Sequence, residues 1–234
     1  NTMLIEEHFK CSISDIVGIE IPLGVKVIAG GIGKTDGKEV PKGLFYGNDH
    51  LEKTILPETL ETVEEYAFAN MAKLKEIEGI EHISGTIKQF AFQQIDNPDT
   101  KDVVETPLLV FDKDHDGDGA TLTVNAKTIE ENAFYNSRIK TLRLGENVDV
   151  IKDRAFGIDT SLFEPIMIEL FIDEVTASSA NGKALPRTIE NVKNDFTGAF
   201  TSIGKDHVFS EKYLVFENHD YTNDEHEATC QEKG

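Results

Sequence analysis

The sequence predicts a solenoid of about six stacked repeats, with a curved parallel β-sheet on one side and short strands or helical turns on the opposite side. An Ala-Phe pair recurs along the chain at spacings of 22–24 residues or close to twice that. A short segment in which apolar and polar residues alternate precedes each pair. A unit of this length cannot bury its own apolar face, so successive units are expected to stack in register.

The phase of the repeat is set by the Ala-Phe pair and by an aliphatic residue five positions before the phenylalanine. We expect both to fill the interior, because stacking demands core residues at one recurring offset. The pairs are Ala67-Phe68, Ala91-Phe92, Ala133-Phe134, Ala155-Phe156 and Ala199-Phe200, with the variant Leu44-Phe45. The aliphatic residues are Val40, Val63, Ile87, Ile129 and Ile151.

Each repeat also contains a short apolar-x-apolar segment that predicts a β-strand. The two apolar residues are expected to point inward and the middle residue toward solvent. The middle residues of stacked strands then form one outward strip, which is the candidate binding surface. That strip consists of Glu20, Ile55, Glu78, Thr123, Arg143 and Glu169, flanked by Lys53, Glu76, Thr121, Thr141 and Met167.

The repeats divide the chain into three parts. Residues 1–12 are expected to cap the first coil, and 13–216 to form the repeat domain, in which Tyr213-Leu-Val-Phe216 is the last strand. Insertions are expected near 29–39, 96–120 and 172–187. The polar run 217–234 reads as a tail or a linker to a missing C-terminal region.

Charge and motif content exclude several function classes. With 43 acidic and 23 basic residues the net charge is −20, which disfavours nucleic acid. No apolar run is long enough to cross a membrane. Cys11 and Cys230 give no disulfide framework. Gly30-Gly-Ile-Gly-Lys-Thr35 fails as a phosphate-binding loop because Ile28 stands where glycine is required, and no catalytic motif is complete.

The repeat resembles the BspA-like class of leucine-rich repeats. Leu51, Thr54, Leu56, Leu60, Val63 and Ala67-Phe68 match the pattern best, and Ile139 to Phe156 nearly as well. The resemblance covers about residues 13–200 and implies a leucine-rich-repeat solenoid from a secreted or surface-anchored bacterial protein, with adhesive roles. The cysteine that often follows the family's phenylalanine by three residues is absent here.

Two functions are compatible with this sequence. The first is a monomeric, extracellular or cell-surface interaction module without catalytic activity, whose partner is a protein or a glycan. The second is a structural spacer in a larger multidomain surface protein. An exposed apolar or aromatic patch of about several hundred Å² on the sheet would favour binding, and a uniformly charged sheet would favour the spacer.

One segment could hold calcium as a cofactor, and no other cofactor is expected. Asp112, Asp114, Asp116 and Asp118, followed by Gly119, resemble the first half of an EF-hand loop, in which alternate carboxylates surround the ion. The glutamate expected at position 12 of that loop is replaced by Thr123 or Asn125, depending on the register. The alternative is an acidic turn between two strands.

If this loop binds calcium, the affinity should be weak, with Kd on the order of 10⁻⁴–10⁻³ M, because the bidentate ligand is missing. Calcium should then raise the melting temperature more than sodium at equal ionic strength. Replacing Asp114→Asn together with Asp116→Asn should abolish the difference. A double variant that keeps the full calcium-dependent shift would identify an acidic turn.

Overall fold

The fold is taken from a computed structural model, and the backbone alone is described for 168–173 and 209–217. The structure describes residues 3–9, 11–71, 73–74, 76–93, 121–137, 139, 141–145, 147–157, 168–173 and 209–217.

Almost all regular structure in these residues is short β-strand. In chain order the strands are β1 (Met3–Leu4), β2 (Gly18–Glu20), β3 (Val27–Ile28), β4 (Ile32–Thr35), β5 (Lys38–Pro41), β6 (Lys53–Ile55), β7 (Thr62–Val63), β8 (Glu76–Glu78), β9 (Thr86–Ile87), β10 (Thr121–Val124), β11 (Thr128–Ile129), β12 (Thr141–Leu144), β13 (Val150–Ile151), β14 (Ile168–Asp173) and β15 (Phe209–Glu217). Single 3-10 turns occur at Glu6–His8, Ile13–Asp15 and Ile80–His82.

The strands assemble into parallel sheets with one strand per coil. Sheet 1 has the order β1-β3-β7-β9-β11-β13. The strands that precede these in each coil form sheet 2, β2-β6-β8, and sheet 3, β10-β12-β14-β15. Every pair within the three sheets is parallel. The coil therefore repeats as predicted: one outward-presenting strand, a turn, a second strand, and the return through Ala-Phe.

The interior contains a column of stacked phenylalanine rings, one from each coil. Successive ring centroids lie 5.0, 5.4, 5.0 and 5.4 Å apart with nearly parallel planes. Beside the rings, the backbone N–H groups donate to the carbonyl of the alanine in the next coil at 2.7–2.9 Å, as shown for Phe45, Phe68, Phe92 and Phe134. The column consists of Phe45, Phe68, Phe92, Phe134 and Phe156, all buried. The predicted core role of these residues is confirmed.

The expected inward and outward alternation of the first strand is also confirmed. Inward positions such as Ile77, Leu122 and Leu144 are buried, whereas the middle residues between such positions are partly or fully exposed. Thr54 occupies an inward position, and within the described part of the chain its buried hydroxyl meets no hydrogen-bond partner. An unsatisfied hydroxyl at this depth costs stability that an aliphatic residue would not.

The long spacing between two of the phenylalanines does not separate their coils. Ile87 lies opposite Ile129 in sheet 1, and Phe92 stacks directly on Phe134. The two coils are therefore direct neighbours, which agrees with an insertion between them. The insertion predicted near 96–120, including Asp112, Asp114, Asp116 and Asp118, lies outside the described residues.

The phase assigned to Val40 is wrong. Strands β4 and β5 form an antiparallel hairpin that departs from the coil after Ile28 and returns before Phe45. Val40 belongs to this hairpin, and Ile28, fully buried opposite Val63, takes the aliphatic position. The insertion predicted near 29–39 thus includes a hairpin, and the rejected phosphate-loop segment contributes its first strand.

The first coil begins earlier than the repeat pattern indicated. Met3–Leu4 pairs with Val27–Ile28 at the edge of sheet 1, and Phe9 meets Phe45 edge-to-face at 6.1 Å. Leu4 precedes Phe9 by the same five residues that separate Val63 from Phe68. Residues 3–9 therefore cover the adjoining coil with a copy of its own strand-turn-phenylalanine unit.

We expect Phe68→Ala to destabilise the chain by about 3–5 kcal/mol, because the ring is buried between two other rings and its removal leaves a cavity. Leu23→Ala, at a residue 76% exposed, is the control and should change the free energy of unfolding by less than about 0.5 kcal/mol. Urea denaturation measures both. A loss below about 1 kcal/mol for Phe68→Ala would contradict the stacked column.

Candidate functional site

The structure places five of the six predicted strip members at outward positions of paired strands, in two rows. In sheet 2, Ile55 lies between Glu20 on one neighbouring strand and Glu78 on the other. In sheet 3, Thr123 lies opposite Arg143. Because these are outward positions of paired strands, each row presents one side chain per coil at the strand spacing.

A glycine ends β8. Gly79 follows this strand in the left-handed conformation (φ 87°), and a Cβ there would lie 2.6 Å from the Leu56 carbonyl oxygen. The chain therefore leaves the extended conformation at this point and enters the Ile80–His82 turn, which lies beside β10. Within the described ranges, β8 is the last strand of sheet 2 and β10 is the first strand of sheet 3.

The Glu169 assignment is wrong by two residues. Strand β14 places Glu169 opposite Thr141, in the flanking row, and Phe171 opposite Arg143. Leu170 and Ile172 pair with Leu142 and Leu144, so they are the apolar-x-apolar segment of this coil. Ile168-Glu-Leu170 has the same apolar-x-apolar pattern as Leu170-Phe-Ile172, so the sequence alone does not distinguish the two registers. The strand also runs to Asp173, into the segment predicted as an insertion from 172.

Charges on sheet 2 are paired with each other. The Nζ of Lys53 donates to Glu76 Oε1 at 2.9 Å and to Glu78 Oε1 at 2.6 Å. These two hydrogen bonds, the one to Glu78 first, raise the pKa of Lys53 above its usual value. The ammonium is therefore held between two carboxylates of the next strand, and this face combines a fixed ion triad with the partly exposed Ile55.

A second surface was not predicted. It lies on the turn that follows sheet 1, where Tyr66 and Phe90 occur two residues before the column phenylalanines of their coils. Their rings stack at 4.8 Å, and Tyr46 meets Tyr66 edge-to-face at 6.0 Å. Tyr46 is 38% exposed, and Tyr66 and Phe90 are partly exposed. The sequence signal for this surface is a pair of aromatic residues, Tyr66 and Phe90, at one shared offset from the core phenylalanines.

The same turn carries a row of alternating charges, four residues before the column phenylalanines from Phe68 onward. Glu130 lies 3.4 Å from Lys152 in one neighbouring coil and 3.9 Å from Lys88 in the other. One position after Glu130, Glu131 Oε1 accepts a hydrogen bond from Arg154 Nη2 at 3.0 Å. Each exposed pair contributes little stability. Glu130 and Glu131 therefore form ion pairs with neighbouring coils.

The described residues offer no metal site: they contain no group of three or more histidine, cysteine, aspartate or glutamate side chains placed to hold an ion. Asp112, Asp114, Asp116 and Asp118 lie outside the described residues, so the calcium hypothesis remains a prediction. Cys11 is exposed. Among the described residues no helix is long and apolar enough to cross a membrane.

Glu64 offers a pH test of this turn. Burial, followed by the charge of Glu65, raises the pKa of the Glu64 carboxyl above its ordinary value of 4.5, while Lys88 opposes the shift. A raised folded-state pKa means that the ionised carboxylate costs stability at neutral pH, and that this cost disappears as pH falls through the folded pKa toward 4.5.

We therefore expect Glu64→Gln to be more stable than the parent chain at pH about 7, by less than about 1 kcal/mol because solvent screens a partly exposed carboxylate. The gain should shrink toward zero below the unfolded-state pKa. Urea denaturation of both chains across this pH range measures the difference. A gain that grows on acidification would contradict the assigned shift.

Comparison with known proteins agrees with the geometry. No curated protein and no solved structure matches the chain. The family model for the BspA type leucine-rich repeat region matches six copies over residues 38–162, more than half of the sequence. Parallel strands of the same kind lie on both sides of that span, at β1–β3 and at β14–β15. The chain belongs to the BspA-type leucine-rich repeat family.

Proposed function

We propose that this chain is a non-catalytic, adhesion-type interaction module, which acts outside the cell or at the surface of a bacterium as part of a larger protein. Its repeat family is generally a protein-interaction scaffold, and its members are generally bacterial surface or extracellular proteins. The chain is proposed to act as a monomer, with a protein or a glycan as its partner.

The observation that carries this proposal is the outward strip. The Glu20-Ile55-Glu78 and Thr123-Arg143 rows stand on paired parallel strands, and the core does not use them. A strand frame held by a buried column fixes the positions of these side chains before a partner arrives, which lowers the entropic cost of association. The rows also differ in chemistry from coil to coil, as a specific partner requires.

The arrangement gives catalysis no support. Several acidic and basic groups on the described turns and strands pair across coils, as Lys53 does with Glu76 and Glu78. General acid–base chemistry needs groups that converge on a concave site with matched pKa values. We therefore propose that the chain has no catalytic activity, and that nucleic acids are not among its partners.

The alternative function is a structural spacer in a multidomain surface protein. A regular stack of coils suits this role, and the proposed calcium loop at Asp112–Asp118 would stabilise it. Ile55 and the stacked aromatics beside Tyr66 favour the binding function, because a spacer gains nothing from apolar groups that are partly exposed.

To test the strip, the chain is screened by surface plasmon resonance against purified extracellular-matrix proteins and an array of neutral and acidic glycans. We expect saturable binding to at least one of them, weakened about tenfold or more by Ile55→Glu or Thr123→Glu, as for central interface positions. The matched controls lie on sheet 1: Val150→Glu replaces an aliphatic residue, as Ile55→Glu does, and Thr128→Glu repeats the Thr123→Glu change. Both controls should bind as the parent chain does.

The melting temperature of each of the four variants is compared with that of the parent chain, as the control for folding. Absence of saturable binding throughout the panel would overturn the proposal in favour of the spacer. Equal losses in the strip variants and the sheet 1 controls would show that the strip is not the contact surface.

A further inference from the structure

We propose that the turn surface formed by Tyr46, Tyr66 and Phe90, together with Glu39 and Glu65, binds an arginine-containing segment of a partner protein. We name it the aromatic–acidic surface. It lies on the turn after sheet 1, whereas the outward strip lies on sheets 2 and 3. It is therefore a second interaction surface, and its test does not depend on the proposed function of the strip.

The three rings form a partly exposed aromatic platform across three successive coils. Tyr66 and Phe90 stack with planes 23° apart, while the Tyr46 ring is turned to 86° from Tyr66. Asn70 Nδ2 donates to the Tyr46 hydroxyl at 3.3 Å, which helps to hold that ring in place. A platform with rings in two orientations presents both edges and faces to a ligand.

The backbone at these positions shows that the rings are held at a cost. Tyr66 and Phe90 have φ of 60° and 62°, a left-handed conformation that bulky residues rarely adopt. In a later coil the same position is Asn132, with φ 57°, a residue type that tolerates this conformation better. The core does not require aromatics here, since coils with Asn132 and Arg154 stack equally well.

The hairpin packs against the turn that carries this platform. Gly31 N–H donates to the Glu65 carbonyl at 2.8 Å, and a Cβ at Gly43 would overlap the Tyr66 carbonyl oxygen. Glu39 lies on β5 of that hairpin, and Glu65 directly precedes Tyr66. Burial, then the neighbouring Tyr46 phenol and the carboxylates of Glu39 and Glu65, raise the pKa of the Tyr66 hydroxyl above its ordinary value, so both carboxylates lie close enough to act on it.

Charge and geometry together select a cation, and arginine in particular. Aromatic faces attract cations, and nearby carboxylates strengthen the attraction. A planar guanidinium can stack on a ring while it donates to a carboxylate, which an ammonium does less well. The chain supplies an internal precedent: Arg154 satisfies Glu131 of the preceding coil. Glu65 occupies in its coil the position that Glu131 occupies in a later one. In the coil that follows Glu65, the position equivalent to Arg154 is Phe90, so Glu65 has an aromatic ring beside it where Glu131 has a guanidinium.

The probe is a fluorescein-labelled peptide of alternating arginine and glycine-serine units, compared with the same peptide in which neutral citrulline replaces arginine. Fluorescence anisotropy measures binding to the full chain at low and at physiological ionic strength. We expect saturable binding of the arginine peptide, and binding of the citrulline peptide that is weaker by on the order of tenfold.

Two double variants remove the rings and the charges separately. Tyr66→Asn with Phe90→Asn removes the stacked rings but keeps a residue suited to the left-handed backbone, so the fold and melting temperature should be retained. Glu39→Gln with Glu65→Gln removes two charges. Each should weaken binding on the order of tenfold. Glu58→Gln with Glu81→Gln makes the same change in net charge at exposed sites elsewhere and should alter binding less than about twofold.

The proposal is overturned if the arginine peptide fails to bind, if citrulline binds equally well, or if the folded ring variant binds like the parent. If the control variant loses as much affinity for the arginine peptide as the Glu39→Gln, Glu65→Gln variant, the binding is general attraction to an acidic protein, and the proposal is likewise overturned. An uncharged oligosaccharide that binds this surface where the arginine peptide does not would assign the platform to glycans and also overturn the proposal.

Discussion

The column of phenylalanine rings, with a hydrogen bond between Phe N–H and Ala C=O beside each ring, sets the distance between successive coils. Ring centroids 5.0–5.4 Å apart are close to the roughly 4.8 Å spacing of hydrogen-bonded strands. Side-chain stacking and strand pairing therefore favour the same repeat distance, and neither strains the other. The described coils, whose strands mostly have two to four residues, depend on this agreement, because no strand of that length is stable alone.

The same dependence explains where the chain tolerates additional residues. Coils contact only their neighbours, so a segment can leave the stack wherever it does not displace the column or the inward positions. The hairpin departs after Ile28 and returns before Phe45 without disturbing the stack of Phe45 on Phe68. The 94–120 segment separates Phe92 from Phe134 in sequence, yet the two rings lie 5.0 Å apart. Insertions are thus a way to add surfaces to a fixed frame, and the hairpin contributes Glu39 in this manner.

Sequence alone could predict the repeat, its phase and most of the outward strip, because these follow from a periodicity that the core enforces. Prediction failed where the local pattern fits two registers. Ile168-Glu-Leu170 and Leu170-Phe-Ile172 both alternate, and only pairing with Leu142 and Leu144 decides between them. Val40 failed for a similar reason, since an inserted hairpin happened to place an aliphatic residue at the expected offset.

The aromatic–acidic surface shows why function in a repeat protein is found at the positions that do not repeat. Inward positions are restricted to a few residue types by packing, so they carry little information about a partner. Two residues before the column phenylalanines from Phe68 onward, the side chain is tyrosine, phenylalanine, asparagine and arginine in turn, on the same left-handed backbone. A geometry shared by all four with chemistry that changes from coil to coil means that the frame does not dictate the side chain there. A left-handed backbone is strained at bulky aromatic residues, and the stacking of Tyr66 on Phe90 has to offset that strain. A ligand bound to the exposed side of the rings would contribute further stabilisation.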